Sequence, residues 1–392
     1  MTEPQDALFT RSLVLISLGA FAIPLACRPL RVPAAVGEIA FGILVGPHLL
    51  NLVSLGGFIP VLAELGFFLL MFLAGLELDF SELERSGRKK LVPASLAVVT
   101  MFCLAVGLTL LMGWPIFLFM VIGAMSIGVT LVLLNELGLT RSPLGQQCLL
   151  VGSLGEFGCL LIATGTNAYA RSDGISVHFF LALLALVAVF GLAYLWLVVL
   201  RTLVWWRPDL FARLMETHDS SEIGVRAGLA LMFIFVAVAT MLRLEPILGA
   251  FLAGALFSFS FRHKGPLEVK FTSLGNGFFI PVFFITVGLR FNLPLAIEGS
   301  LLLLLELMLA LFLVRLIPIA LFRSPGQDWR TSLAIALNLA APLTLLVLFA
   351  NLGLSMGELD EKMHASIIML AVVSSVLFPY LFKSWMRRST AG

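Results

Sequence analysis

Long apolar segments separated by short charged loops constrain this chain more than any other feature of its sequence. A window of about 19 residues finds thirteen of them, at 10–27, 34–52, 57–75, 92–112, 115–136, 143–168, 177–200, 221–241, 244–261, 267–289, 297–322, 328–352 and 362–386. A helix of about 20 apolar residues crosses the hydrocarbon of a bilayer. Composition agrees, because 60% of the 392 residues are hydrophobic and only 12% are charged. We therefore predict an all-α polytopic membrane protein with about 13 transmembrane helices.

The distribution of Lys and Arg predicts how the chain is oriented. Of the 25 basic residues, 19 fall in loops on one side of the predicted membrane, five fall on the other, and Arg315 lies within a segment. Cytoplasmic loops hold the excess of positive charge. We expect an outside N-terminus and a cytoplasmic C-terminus, in a cell inner membrane or plasma membrane. The N-terminal sequence MTEPQDALFTR does not resemble a cleavable signal.

Three pairs of similar stretches indicate an internal repeat. GFFLLMFLAGLELDF resembles GFFIPVFFITVGLRFNL, and their Gly75 and Gly288 lie 213 residues apart. At nearly the same spacing, GEIAFGILVG resembles ILGAFLAGAL, and AMSIGVT resembles NLAAPLT. Each partner lies seven segments later, an odd number, so the two copies must cross the membrane in opposite directions. We predict an inverted-topology repeat, about 34–168 and 244–386, of the kind found in many secondary transporters.

The third pair of stretches places polar and helix-breaking residues in the middle of two segments. They are Ser126, Gly128 and Thr130 in segment five, and Asn338, Pro342 and Thr344 in segment twelve. Gly weakens a helix and Pro removes one of its hydrogen bonds, and non-helical backbone at membrane depth occurs where it is buried in protein or lines a cavity. The alternative is that small residues allow two helices to pack closely. Because both copies carry the feature, we predict two crossed, discontinuous helices.

One carboxylate, Glu156, lies near the middle of the apolar segment 143–168. An ionised carboxylate at that depth is costly unless it is paired or has a function. The alternative is a glutamate at a helix end that reaches the lipid headgroups. Our hypothesis is that Glu156 binds the proton and the ion of a transporter.

Other kinds of site receive no support from the sequence. The four cysteines show no CxxC spacing, and the five histidines fall at or near segment ends. Neither pattern indicates a disulfide framework or a structural metal site. We expect no cofactor, no enzymatic activity and no nucleic-acid partner.

Several stretches together resemble the monovalent cation:proton antiporter-2 family, which includes Kef-type potassium transporters and sodium/proton exchangers. They are VGEIAFGILVGPHLLNLV, LAELGFFLLMFLAGLELDF, NELGLTRSPLGQQ, ILGAFLAGALF and FFIPVFFITVGLRFNL. The resemblance runs from about Val36 to Arg315. It implies a homodimer with dimerisation helices at about 10–52 and 177–261 and core helices at about 57–168 and 267–386. It also implies elevator-type alternating access.

The resemblance also implies roles for individual residues. Glu156 matches the ion-binding acid of the family, where an Asp is usual, and Gly155 stands where electrogenic members carry a second Asp. Arg315 matches a basic residue that lies opposite the acid and would act as its counter-charge. The unwound stretches match at Ser126 to Thr130 and at Ala340 to Thr344. Only the ten residues Lys383 to Gly392 stand after the apolar part of the last segment, so we expect no cytoplasmic regulatory domain of the Kef type.

These residues predict the exchange of one monovalent cation, Na⁺ or K⁺, for one proton. Burial favours the neutral form of Glu156, a nearby guanidinium favours the ionised form, and Arg315 keeps its charge. A single titrating carboxylate predicts electroneutral transport, with Glu306 as a candidate second acid. The alternative is a sodium-coupled carrier of a small organic anion, and a passive channel is a third option. Membrane lipids are the remaining expected partners.

Overall fold

The computed structural model describes residues 3–30, 32–53, 55–77, 80–171, 222–260, 265–291, 301–323 and 328–390, together with single residues and short runs between 180 and 202. Fifteen helices are described in these ranges. They are α1 (Glu3–Leu30), α2 (Ala34–Val45), α3 (Ile59–Glu77), α4 (Phe80–Met112), α5 (Leu118–Gly123), α6 (Gly128–Glu136), α7 (Pro143–Arg171), α8 (Ile223–Met241), α9 (Pro246–Ser260), α10 (Gly265–Leu274), α11 (Ile280–Arg290), α12 (Leu301–Leu321), α13 (Trp329–Leu339), α14 (Leu343–Ser355) and α15 (Glu361–Thr390). A π-helical turn, Gly275–Phe279, joins α10 to α11. The all-α prediction is confirmed.

The described helices have the length and composition of membrane spans. In the described ranges, nine helical spans are long and apolar enough to cross a bilayer. The bent pair of α13 and α14 makes a tenth if it is counted as one span. The apolar helices α2 and α9 are shorter, at 12 and 15 residues. Many large apolar side chains also face outward, including Leu111, 76% exposed, and Met241, 83% exposed. The exact number of thirteen spans stays a prediction, and most of segment 177–200 lies outside the described residues.

Two of the predicted spans are interrupted near their middle. The first ends as α5 at Gly123 and resumes as α6 at Gly128, with residues 124–127 non-helical. The second ends as α13 at Leu339 and resumes as α14 at Leu343, and the axis bends by 51°. Pro342 directly precedes α14 and has no backbone N–H to donate. The prediction of two discontinuous helices therefore agrees with the structure, although Gly128 and Thr130 lie just inside α6 and not in the break.

Two compact units are formed by the packing of the chain. The first consists of Met1–Phe21, Val53–Glu82 and Ala163–Thr286. Within it α3 packs along α9, and α9 also packs against α8. A Cβ added at Gly75 would collide with the backbone of Phe251, and one at Gly254 would collide with that of Phe72. These two glycines therefore let the backbones of α3 and α9 touch.

The second unit consists of Ala22–Leu52, Leu83–Ile162 and Val287–Gly392, and it contains both interrupted helices. Within it α12 packs against α5 and α13, while α15 packs against α13 and α14. These units divide the chain differently from the predicted core and dimerisation helices, since residues 57–75 belong to the first unit and 34–52 to the second. Which helices form a dimer contact, and the extent of the inverted repeats, stay predictions.

Candidate functional site

Glu156 is buried in the second unit, where it accepts hydrogen bonds from residues of the non-helical stretch between α5 and α6. Its side chain is 1% exposed. The backbone N–H of Ile127 donates to Oε2 at 3.1 Å, and the hydroxyl of Ser126 donates to Oε1 at 3.2 Å. Glu156 therefore does not reach toward a headgroup region as a surface glutamate would, and the helix-end alternative is not supported.

The backbone explains why this carboxylate is tolerated here. Helix α6 begins at Gly128, so Ile127 is its N-cap and the first N–H groups of the helix have no intrahelical acceptor. The N-terminus of a helix carries a partial positive charge and binds anions. Interrupting the apolar span at residues 124–127 thus creates a positive end inside the membrane, and the carboxylate of Glu156 lies at that end.

Polar contacts join the two interrupted helices beside Glu156. The hydroxyls of Ser126 and Thr344 lie 2.9 Å apart, so Ser126 contacts both the acid and the start of α14. The hydroxyl of Thr130 donates to the carbonyl of Asn338 at 3.3 Å and contacts the carbonyl of Ser126 at 3.5 Å. The structure therefore brings the predicted residues Ser126, Thr130, Asn338 and Thr344 into one cluster with Glu156, and Pro342 lies in the break next to Thr344.

Arg315 occupies a different part of this junction. Its side chain is fully buried, with Nε donating to Leu339 O at 2.8 Å and Nη1 to Ile122 O at 3.1 Å. Nη1 also donates to Leu311 O, and Nη2 donates to Ala124 O. Three of these carbonyls lie at the C-terminal ends of α5 and α13, where carbonyls lack intrahelical donors and carry partial negative charge.

The two charged residues are not an ion pair. Among the described residues, the guanidinium of Arg315 donates to carbonyl groups and the carboxylate of Glu156 accepts from Ser126 and Ile127. The acid thus lies at the positive end of one half-helix, and the guanidinium lies at the negative ends of two. The counter-charge role of Arg315 therefore stays a prediction.

Cys159 is part of the same junction, which the sequence did not suggest. It is 1% exposed, accepts the N–H of Met125 at 3.4 Å and donates to Gly123 O at 3.6 Å. The sequence did contain a signal for this position, because Cys159 follows Glu156 by three residues and residues three apart share a helix face.

Two further predicted positions can be placed. Glu306 lies near the start of α12, is half-buried, and makes no hydrogen bond or ion pair within the described ranges. The structure does not bring it into the cluster around Glu156. At Gly155, an added Cβ would approach the Sδ and Cε atoms of Met125 to 2.5 Å. A second acid at that position would require Met125 to move.

The cluster presents oxygen donors that suit a small hard cation. A carboxylate, two hydroxyls and backbone carbonyls are the ligands that replace water around alkali and alkaline-earth ions. Only one of these groups carries a formal charge, which suits a monovalent ion. In the part of the chain that the structure describes, no three His, Cys, Asp or Glu side chains are placed to hold a metal ion.

Comparison with known proteins identifies the family. Residues 13–387 match the family model described as "Sodium/hydrogen exchanger, transmembrane". YjbQ of Bacillus subtilis (strain 168) is 30% identical over 400 residues; the match covers 96% of this chain, which spans 63% of that relative. The Na(+)/H(+)-K(+) antiporter GerN of Bacillus cereus is 25% identical, with 90% of this chain and 89% of GerN covered.

A solved structure shares the fold. The sodium proton antiporter MjNhaP1 from Methanocaldococcus jannaschii, at pH 8, superposes with a TM-score of 0.66 at 14% identity, covering 97% of each chain. This likeness confirms the predicted antiporter-like fold class, and the family model confirms the resemblance seen in the motifs. Members of this family are membrane transporters and not enzymes. The chain belongs to the transmembrane sodium/hydrogen exchanger family.

Proposed function

We propose that this protein is a secondary active antiporter that exchanges a monovalent cation, Na⁺ or K⁺, for a proton at Glu156. One observation carries the proposal: a single carboxylate, 1% exposed, accepts hydrogen bonds from the N-terminus of α6 where two interrupted helices meet. A neutral side chain would satisfy those two donors without a buried charge. A buried carboxylate in this place is therefore best explained by a task that needs a change of charge.

Competition for one carboxylate gives exchange. When Glu156 is ionised, its remaining lone pairs can bind a cation. The hydroxyl of Ser126 is hydrogen-bonded to Glu156, and the hydroxyl of Thr344 is within hydrogen-bonding distance of that of Ser126. When Glu156 is protonated, the charge that holds the cation is gone. If the site changes sides of the membrane only when it holds either a cation or a proton, it exchanges cations for protons across the membrane. Thr130 ties the two breaks together through the carbonyl of Asn338.

Arg315 would act as the fixed counter-charge of this site. Its guanidinium stays protonated in proteins, and its donors occupy the carbonyl ends of α5 and α13. Neutralising those ends keeps the junction from favouring a second cation. A cation is thus held by Glu156, whose charge is removed by protonation. It is not held by the helix ends, whose partial charge is fixed.

The remaining features of the proposal follow the family resemblance and the predicted topology. Core helices would carry Glu156 past dimerisation helices by an elevator-type movement in a homodimer. The protein would lie in a plasma or inner membrane with its N-terminus outside and anionic lipids around its basic loops. A sodium-coupled carrier of a small organic anion is the alternative function. The buried carboxylate opposes it, because it would repel an anion at the same junction.

Reconstituted protein tests the proposed exchange. Proteoliposomes with an internal pH dye, given pulses of Na⁺, K⁺, Li⁺ or Rb⁺, should show cation-dependent proton movement in the direction opposite to the cation. Liposomes without protein are the control. Absence of proton movement with all four cations would contradict antiport, and movement only in the presence of an organic anion would favour the carrier.

Electroneutrality is a separate prediction. A single exchanged carboxylate moves no net charge, so a cation jump on a solid-supported membrane should give proton exchange without a transient transport current. A dissipated membrane potential should leave the rate unchanged. A current that reverses with the cation gradient would show that a second titrating group, with Glu306 as the first candidate, takes part in the cycle.

A further inference from the structure

The side-chain amide of Asn338 has no hydrogen-bond partner among the described residues. It is the penultimate residue of α13 and is 1% exposed. Both its amide oxygen and its amide nitrogen are buried, and neither makes a hydrogen bond within the described ranges. Buried polar side chains in folded proteins are nearly always paired. An unpaired amide destabilises the folded state, whereas a leucine of similar size would not.

Residues of the proposed ion site contact the backbone at Asn338 and next to it. Its own carbonyl accepts the hydroxyl of Thr130 at 3.3 Å. The carbonyl of the next residue, Leu339, accepts Nε of Arg315 at 2.8 Å. Thr130 also contacts the carbonyl of Ser126, whose hydroxyl donates to Glu156. The unpartnered amide is therefore held at the junction of the two interrupted helices.

The chemistry of an amide suits one partner of this site. An amide oxygen is a hard, uncharged ligand of the kind that replaces the hydration shell of an alkali ion in selectivity filters. It cannot compete for the proton as a second carboxylate would. Building on the proposed antiport, we propose that the amide oxygen of Asn338 binds the transported cation together with Glu156, and that this contact discriminates among alkali cations.

The expected discrimination follows from ion size. The attraction between a cation and a carbonyl dipole grows as their separation falls. Li⁺ and Na⁺ approach an oxygen more closely than K⁺ and Rb⁺ do. Loss of the amide should therefore weaken the binding of the small ions most and shift the preference toward the large ones.

Asn338→Leu is the direct test, in purified full-length protein reconstituted in liposomes. We expect the apparent KM for Na⁺ to rise by about tenfold, the effect of losing one good contact, and the KM for Rb⁺ to rise less. Without cation, the variant in detergent should melt at the same temperature as wild type or higher, because an unpaired buried amide has been removed. The stabilisation that added Na⁺ gives the wild type should be reduced in the variant.

A matched control lies on the same helix. Ser332 is also 1% exposed, and its hydroxyl also makes no hydrogen bond within the described residues. Ser332→Ala should leave the KM for every cation unchanged. If Asn338→Leu does not fold, Asn338→Ala removes the same amide without adding branched bulk and is measured in its place.

The outcomes separate this inference from the proposed function. Exchange by wild type with an unchanged ratio of Na⁺ to Rb⁺ KM values in the Asn338 variant would overturn the role of Asn338 and leave antiport intact. An equal rise for Ser332→Ala would also overturn it, because any polar loss on α13 would then suffice. Absence of exchange in wild type would overturn antiport itself.

Discussion

Replacement of Glu156 by Gln should reduce cation-driven proton movement to the background of protein-free vesicles. The amide keeps the size of the side chain and can still accept from the N–H of Ile127, so the fold should survive. It carries no charge to hold a cation and takes up no proton at neutral pH. Removing one partner of a buried charge pair costs about 2 to 5 kcal/mol, which weakens cation binding by about 30-fold or more.

Everted vesicles with a pH-sensitive dye measure this loss. The control is Glu136→Gln, which removes an exposed carboxylate that pairs with Lys383 at 2.6 Å and lies outside the cluster. Exposed ion pairs contribute little to stability, so that variant should exchange at the wild-type rate. Normal dye recovery on addition of Na⁺ or K⁺ to vesicles with folded Glu156→Gln would refute the assignment of the acid.

Replacement of Arg315 by Leu should cause the largest loss of stability of any single change at the site. The carbonyls of Ile122, Ala124 and Leu339 would lose their side-chain donor in a buried setting. Each hydrogen bond to a charged group contributes about 1.5 to 3 kcal/mol, so the loss of several such bonds should lower the free energy of unfolding by about 3 kcal/mol or more. Arg315→Lys keeps the charge but has one compact ammonium in place of a planar fork, so it should be intermediate.

Thermal unfolding of detergent-purified variants measures the effect. Arg323→Leu is the control, since Arg323 lies two residues past the end of α12 and is exposed. It should melt within a degree or two of wild type, as exposed substitutions usually change stability by less than about 0.5 kcal/mol. An Arg315→Leu protein as stable as wild type would show that the guanidinium does not hold the ends of α5 and α13 together.

The acid of the site was predictable from sequence for a specific physical reason. A carboxylate in a 26-residue apolar segment is too costly to be incidental, so Glu156 could be selected without any coordinates. The two breaks were predictable because Gly128 and Pro342 weaken helices at equivalent places in a repeat. The break itself lies at residues 124–127, slightly before the predicted stretch. Helix α5 ends at Gly123, and Gly128 is the first residue of α6.

The partners of Arg315 were not predictable in this way. Its guanidinium bonds to backbone carbonyls about 190 residues earlier in the chain, and a carbonyl leaves no trace in an amino-acid sequence. The unpaired amide of Asn338 was hidden for a similar reason, since only a count of its hydrogen-bonding neighbours reveals it. Two helices are shorter than the apolar segments that predicted them. Segment 34–52 contains α2, which ends just before Gly46, and segment 244–261 contains α9, which begins at Pro246.

The central claim is that one carboxylate binds the cation and the proton in turn. The number of protons released when purified protein binds Na⁺ or K⁺ in weakly buffered solution tests it most directly. The account predicts that cation binding releases protons from the wild type, up to one per cation as the pH is lowered and Glu156 becomes protonated before binding, and releases none from Glu156→Gln. Cation binding that releases no proton, or release that persists in Glu156→Gln, would contradict it.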